Sequence, residues 1–254
     1  MYTLTRIPNT WSGLTVRLTI ALMMVIVMLG FTQQATFADN FSCGDLNNNH
    51  CYALDRWYIG PPDYGSFTEE QVVNLSCTCN NIIGGETGFI NNEVWVSQDS
   101  NSACGGNVCW VEAGYSDSGG IGGSLHYFWA DQRPNGGYHG HDLNSVPSGD
   151  LNGNLALFLK KVSSSTWDVD LESNTYYFAE TSTSNSMVAD RTDMGTELAG
   201  SGTVSAPKAT WSSMAKYLSQ SNWNSASLSG HAPSLLDSPL KFDYTSATFD
   251  THCC

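Results

Sequence analysis

The run Trp167-Asp168-Val169-Asp170-Leu171-Glu172 alternates apolar and acidic side chains without a break. Only an extended strand places every second residue on one side, so this pattern requires one dry face and one wet face. A half-wetted strand belongs to antiparallel sheet, because parallel sheets are covered on both faces. Other strand-length segments, rich in aromatic and β-branched residues, lie on either side: Glu93–Ser97, Val108–Tyr115, Leu125–Ala130, Leu155–Val162 and Thr175–Ala179. The spacers Gly119-Gly120, Asn135-Gly136-Gly137 and Ser148-Gly149-Asp150 carry turn chemistry. Several short strands at such intervals predict an all-β fold, an antiparallel β-sandwich.

Two stretches read as short peripheral helices. Thr68-Glu69-Glu70-Gln71 ahead of Val72, Val73 and Leu75 has the form of a capping box before an apolar stripe. After Pro207, the residues Trp211, Met214, Ala215 and Leu218 recur at helical spacing. A weaker strand pattern at Leu240, Phe242 and Tyr244 brings the C-terminus back to the body. The expected organisation is therefore a segment 39–88 with disulfides, then a sandwich domain over 89–254 ending in a helix and tail.

Residues 1–38 read as a removable export signal, with Arg6 and Arg17 flanking an apolar run from Leu18 to Phe31 and small residues at Thr36 and Ala38. That run spans about 21 Å at about 1.5 Å per residue, short of the ~30 Å hydrocarbon core. A secreted protein without a membrane anchor is expected. All eight cysteines lie beyond position 38, which in an exported chain predicts disulfides. The expected pairs are Cys43 with Cys51 and Cys104 with Cys109, with Cys253 and Cys254 stapled onto Cys77 and Cys79. The 24 acids against 10 bases exclude electrostatic capture of nucleic acid or anionic lipid, which needs clustered Lys and Arg.

Four carboxylates stand in apolar or small surroundings: Glu93, Glu112, Glu180 and Glu197. Burial raises a carboxyl pKa, and two such groups together do not both ionise easily, so one holds a proton while the other acts as base. Such a pair suits hydrolysis in acid. His126 and the run His139-Gly140-His141-Asp142 offer metal-binding side chains, but Gly136, Gly137 and Gly140 read as loop, and neither metal nor cofactor is expected. The Gly-x-Ser-x-Gly elbow, the His-Glu-x-x-His pair and a phosphate-binding Gly loop are all missing from the sequence.

Trp110-Val111-Glu112-Ala113-Gly114-Tyr115, then Phe128-Trp129-Ala130-Asp131 with Pro134, then Pro147-Ser148-Gly149-Asp150 opening a strand, resembles the order of motifs in glutamic peptidases. These include the fungal eqolisins and the neprosin-like proteins. The resemblance implies a concanavalin-like sandwich, a catalytic dyad on its concave face, and a polypeptide substrate. It places Glu112 first in the dyad. Glu180, which ends the apolar Tyr176–Ala179 run and precedes Asp193-Met194-Gly195-Thr196, is the preferred second member, and Glu197 is the competing one. Trp95, Trp110 and Trp129, with Asp131, are candidates to line a substrate groove. The alternatives are a carbohydrate-binding or glycan-hydrolysing sandwich, since aromatics stack on sugars and paired carboxylates also cleave glycosides, and a non-catalytic surface module.

Overall fold

In the computed structural model, residues 39–44, 49–80, 87–98, 108–118, 124–219 and 225–254 are described. Period-two burial runs through the strands and sorts them into two antiparallel sheets. One has seven strands in the order β15 (Leu235–Leu236), β2 (His50–Asp63), β12 (Ala189–Ala199), β5 (Phe89–Gln98), β6 (Cys109–Ser118), β7 (His126–Arg133) and β8 (Gly137–Ser145). The main path of the other is β11 (Tyr177–Thr183), β10 (Thr166–Glu172), β9 (Asn154–Ser163), β3 (Gly65–Gln71), β13 (Ser201–Tyr217), β17 (Phe249–Cys253) and β16 (Leu240–Tyr244). The short strands β1 (Asp39–Ser42), β4 (Ser76–Asn80) and β14 (Ser225–Ser227) also pair with β13, completing ten strands.

Val94, Val96, Val111, Ala113 and Tyr115 from the first sheet join Leu155, Leu157, Leu159, Trp167, Val169 and Leu171 from the second in one buried core. Leu155, Leu157 and Leu159 repeat every second residue on β9, and Trp167, Val169 and Leu171 do so on β10, as the alternation in the sequence requires. The segment 39–88, expected ahead of the sandwich, supplies β2 to one sheet and β3 and β4 to the other.

Both expected helices are strands. β3 turns Ser66, Thr68 and Glu70 inward, and it pairs with β9 and β13 along its length. In β13 the register shifts between Ser212 and Ala215, and Ser213 adopts φ 53°. A bulge of this kind adds a residue to one strand, so inward positions fall at Trp211 and then Met214 and imitate helical spacing. The segment His139–His141, expected as loop, lies within β8.

Cys43 pairs with Cys51, with Cα atoms 5.4 Å apart. Cys77 pairs with Cys79 and Cys253 with Cys254, so the expected staple between these two pairs is replaced by two local rings. They flank the same stretch of β13, since Cys77 lies opposite Val204 and Cys253 opposite Ala206. Cys109 is disulfide-bonded too, while Cys104 lies outside the described residues. So does the segment 1–38 with its expected export signal. Among the described residues no helix is long and apolar enough to cross a membrane.

Candidate active site

Three central strands of the seven-stranded sheet bring three glutamates together. Across β5 and β6, Glu93 lies opposite Gly114 and Trp95 opposite Glu112. Across β12 and β5, Gly195 lies opposite Glu93 and Glu197 opposite Asn91. The three acids share a face because Val94, Val111, Ala113 and Leu198, one residue out of phase, fill the core on the other side. Glu93 thus has a glycine on either side, and Glu112 and Glu197 stand on its two diagonals. Diagonal neighbours in a sheet lie within reach of long side chains.

The glycines are required by the backbone. A Cβ on Gly114 would lie 2.0 Å from the Asn92 carbonyl oxygen, and one on Gly195 would lie 2.2 Å from that of Ala53. Gly195 also has φ +154°, which L side chains rarely adopt.

Behind this face a row of polar side chains points into the core. Asn92 lies opposite both Tyr115 and Thr196. Its Nδ2 donates to the Tyr115 hydroxyl at 2.7 Å, and Thr196 Oγ1 donates to its Oδ1 at 2.6 Å. Thr251 Oγ1 of the opposite sheet lies 2.7 Å from Thr196 Oγ1 and accepts from Trp211 Nε1 at 3.2 Å. The Tyr115 hydroxyl donates in turn to Gln71 O at 3.1 Å. Satisfied buried networks rigidify what they join, and this one clamps the residues adjacent to Glu93 and Glu197.

The three carboxyls differ in environment. Glu197 and Glu93 are buried, and Glu112 keeps partial exposure. Burial alone pushes Glu197 up, but the His50 hydrogen bond and charge, with further hydrogen bonds from Glu93 and Tyr52, outweigh it and leave its pKa lowered. His50 Nδ1 stands 2.5 Å from Glu197 Oε1. Glu93 is pushed well up by burial and by the charges of Glu112 and Glu197. Glu112 is pushed up to about 8, first by burial and then by the charges of Glu197 and Asp131. The Tyr52 phenol is raised by burial and by Glu197, so it remains a donor. The surroundings therefore favour the carboxylate at Glu197 and the carboxylic acid at Glu93 and Glu112, an arrangement suited to taking a proton and giving one.

The other expected site residues separate by face. Trp95 and Trp110 share the face of Glu112, and Trp110 meets the exposed Tyr138 edge-on at 5.7 Å. Trp129 and Asp131 lie opposite Ala113 and Val111 and so point inward, away from that face. Trp129 stacks on His141 at 4.0 Å, and Asp131 accepts hydrogen bonds from Arg133 Nε and Ser182 Oγ. Glu180 lies on β11 of the other sheet, opposite Val169, where its carboxylate accepts from Trp129 Nε1 at 3.1 Å. The geometry therefore groups Glu112 with the competing Glu197 and with Glu93, instead of with the preferred Glu180. His126 lies 3.3 Å from Asp142, and His139 contacts Gly136 O; among the described residues no cluster of three or more such side chains could hold a metal ion.

His50 and Tyr52 escaped the sequence reading. Both lie in the segment read as preceding the sandwich, and the signal available was the alternation of His50 and Tyr52 with the core residues Cys51 and Ala53.

No family model and no curated protein matches the chain. Among solved structures, scytalido-glutamic peptidase with a peptide-based transition-state analogue superposes with a TM-score of 0.53 at 10% identity, over 82% of this chain and 99% of that one. The same peptidase with a transition-state analogue inhibitor gives 0.52 at 9% identity, with the same coverage of both chains. SCP-B, a member of the eqolisin family of peptidases in complex with the tripeptide Ala-Ile-His, gives 0.50 at 10% identity, again over 82% and 99%. The chain shares its fold with these proteins.

Proposed function

We propose that the protein is a secreted acid endopeptidase that hydrolyses polypeptides with glutamate side chains and a water molecule. The observation that carries this reading is the convergence of three glutamates on one sheet face, Glu93 between Glu112 and Glu197 on its two diagonals, with only Glu197 in contact with an imidazole, that of His50 at 2.5 Å. The fold shared with glutamic peptidases supports it.

In the proposed step Glu197 takes a proton from water as the water oxygen attacks the peptide carbonyl carbon. The carbonyl oxygen, gaining the π pair, takes the proton of Glu112. The tetrahedral intermediate collapses with cleavage of the C–N bond, and Glu197 passes its proton to the departing nitrogen while Glu112 recovers its own. Glu93 donates to the Glu197 carboxylate before the attack and again once its proton has passed to the nitrogen. Trp95 and Trp110 supply an apolar wall on which an extended substrate lies.

Cleavage of a denatured protein in mild acid tests this reading. Glu197→Gln and Glu112→Gln are each expected to lower kcat/KM by about 10²–10⁴, the scale of positioned acid–base catalysis, in protein shown by circular dichroism to remain folded at the assay temperature. Cleavage that survives both substitutions removes the glutamate mechanism.

A further inference from the structure

Glu197 has a close partner outside the three glutamates, His50, whose Nδ1 lies 2.5 Å from its Oε1. His50 lies on β2 opposite Ala199, the strand neighbour of Glu197 two residues on. Its ring meets Phe89 edge-on at 5.7 Å and stacks with Tyr52 at 6.3 Å, which aims Nδ1 at Glu197 Oε1. The other titratable groups that act on the cluster are acidic or neutral: Tyr52 from β2, Glu93 from β5, Glu112 from β6 and Asp131 from β7. Asp237 accepts from the Tyr52 backbone N–H nearby. Arg56 and Arg191, on the same face, are ion-paired with Asp193.

We propose that His50 is a positioning residue: its imidazolium selects Glu197 as the one ionised member of the cluster and so sets how far into acid the site retains its base. The second half rests on the peptidase reading; the first does not. An opposite charge in hydrogen-bond contact favours the ionised carboxylate, and without it three neighbouring acids compete for a single negative charge. A cation beside Glu197 opposes protonation of its carboxylate, and histidine is the side chain whose ordinary range makes it cationic in acid, where the base is needed.

The test uses full-length protein labelled with ¹³C at the glutamate carboxyl carbons, with Glu197→Gln to assign the signal. Carboxyl shifts against pH are recorded beside the pH profile of kcat/KM on a denatured protein. In His50→Gln, the Glu197 carbon is expected to titrate at least about one pH unit higher, within the range for an adjacent charge. The acid limb of the profile moves by the same amount. His50→Lys, which keeps a cation, moves both back toward the parent. His50→Phe, which preserves the packing on Phe89, is read in parallel should the Gln variant fail to fold. An unmoved Glu197 titration in the folded neutral variant overturns the inference. A moved titration in a protein that cleaves nothing at any pH upholds the charge assignment and rejects the peptidase reading instead.

Discussion

At the scale of single residues, the contrast between Glu180 and Glu197 shows where local reading ends. Both follow turn or strand signals and both were eligible partners for Glu112. Glu180 is exposed at a sheet edge, engaged with an indole N–H, whereas Glu197 is held by His50, Tyr52 and Glu93. Glu180→Gln retains an acceptor for Trp129 and removes no member of the cluster. It is expected to leave cleavage intact and to change stability by no more than about 0.5 kcal/mol, as surface substitutions do; a hundredfold loss of activity would return Glu180 to the site. Glu112 was legible as a candidate because its flanking motif is local. Glu93 stood out as an isolated acid, but its place in the cluster depends on lying opposite Gly114 and Gly195 in two other strands, a register that no short stretch of sequence contains.

At the scale of elements, alternation was legible wherever strands ran regularly. β5, β6, β7, β9, β10 and β11 each overlap an expected strand. It failed where a polar residue faced the core or a bulge broke the period. In β3 the inward Thr68 and Glu70 looked like a helix cap because no apolar residue marked that face. β13 lost its alternation at Ser213. Tertiary pairing overrides local propensity in both. At this scale the glycines flanking Glu93 set the close approach of the strands that carry the cluster. Gly114→Ala is expected to push β5 from β6, since its methyl would meet the Asn92 carbonyl oxygen at 2.0 Å. The expected cost is about 2–4 kcal/mol, or roughly 5–15 °C in Tm for a domain of this size. Differential scanning calorimetry reads it directly, and an unchanged midpoint would show that the strand spacing is not set by this position.

At the scale of the whole molecule, buried acids tie stability to pH. Burial raises Asp55 and Asp63 to about 6, Glu112 to about 8 and Glu70 well above its ordinary range. A folded state that binds protons more tightly than the unfolded chain loses stability as the pH climbs. These groups therefore contribute fully below their ordinary values near 4, and their contribution disappears progressively as the pH rises through about 6 and about 8. Glu197 has the opposite sign: its lowered pKa gives stability above the ordinary 4.5 that is lost as the pH falls through its folded value. The thermal midpoint is expected to peak in mild acid and to decline steadily toward pH 8; a midpoint that rises over that interval would contradict the protonated state assigned to these acids.

Eight cysteines permit 105 patterns of pairing, yet the three described bridges join partners only eight, two and one positions apart. A bridge between such near neighbours closes only a small ring and so constrains little of the unfolded chain. These three bridges therefore commit the chain to no long-range crosslink, and the long-range order of the described residues is left to the burial pattern of the strands.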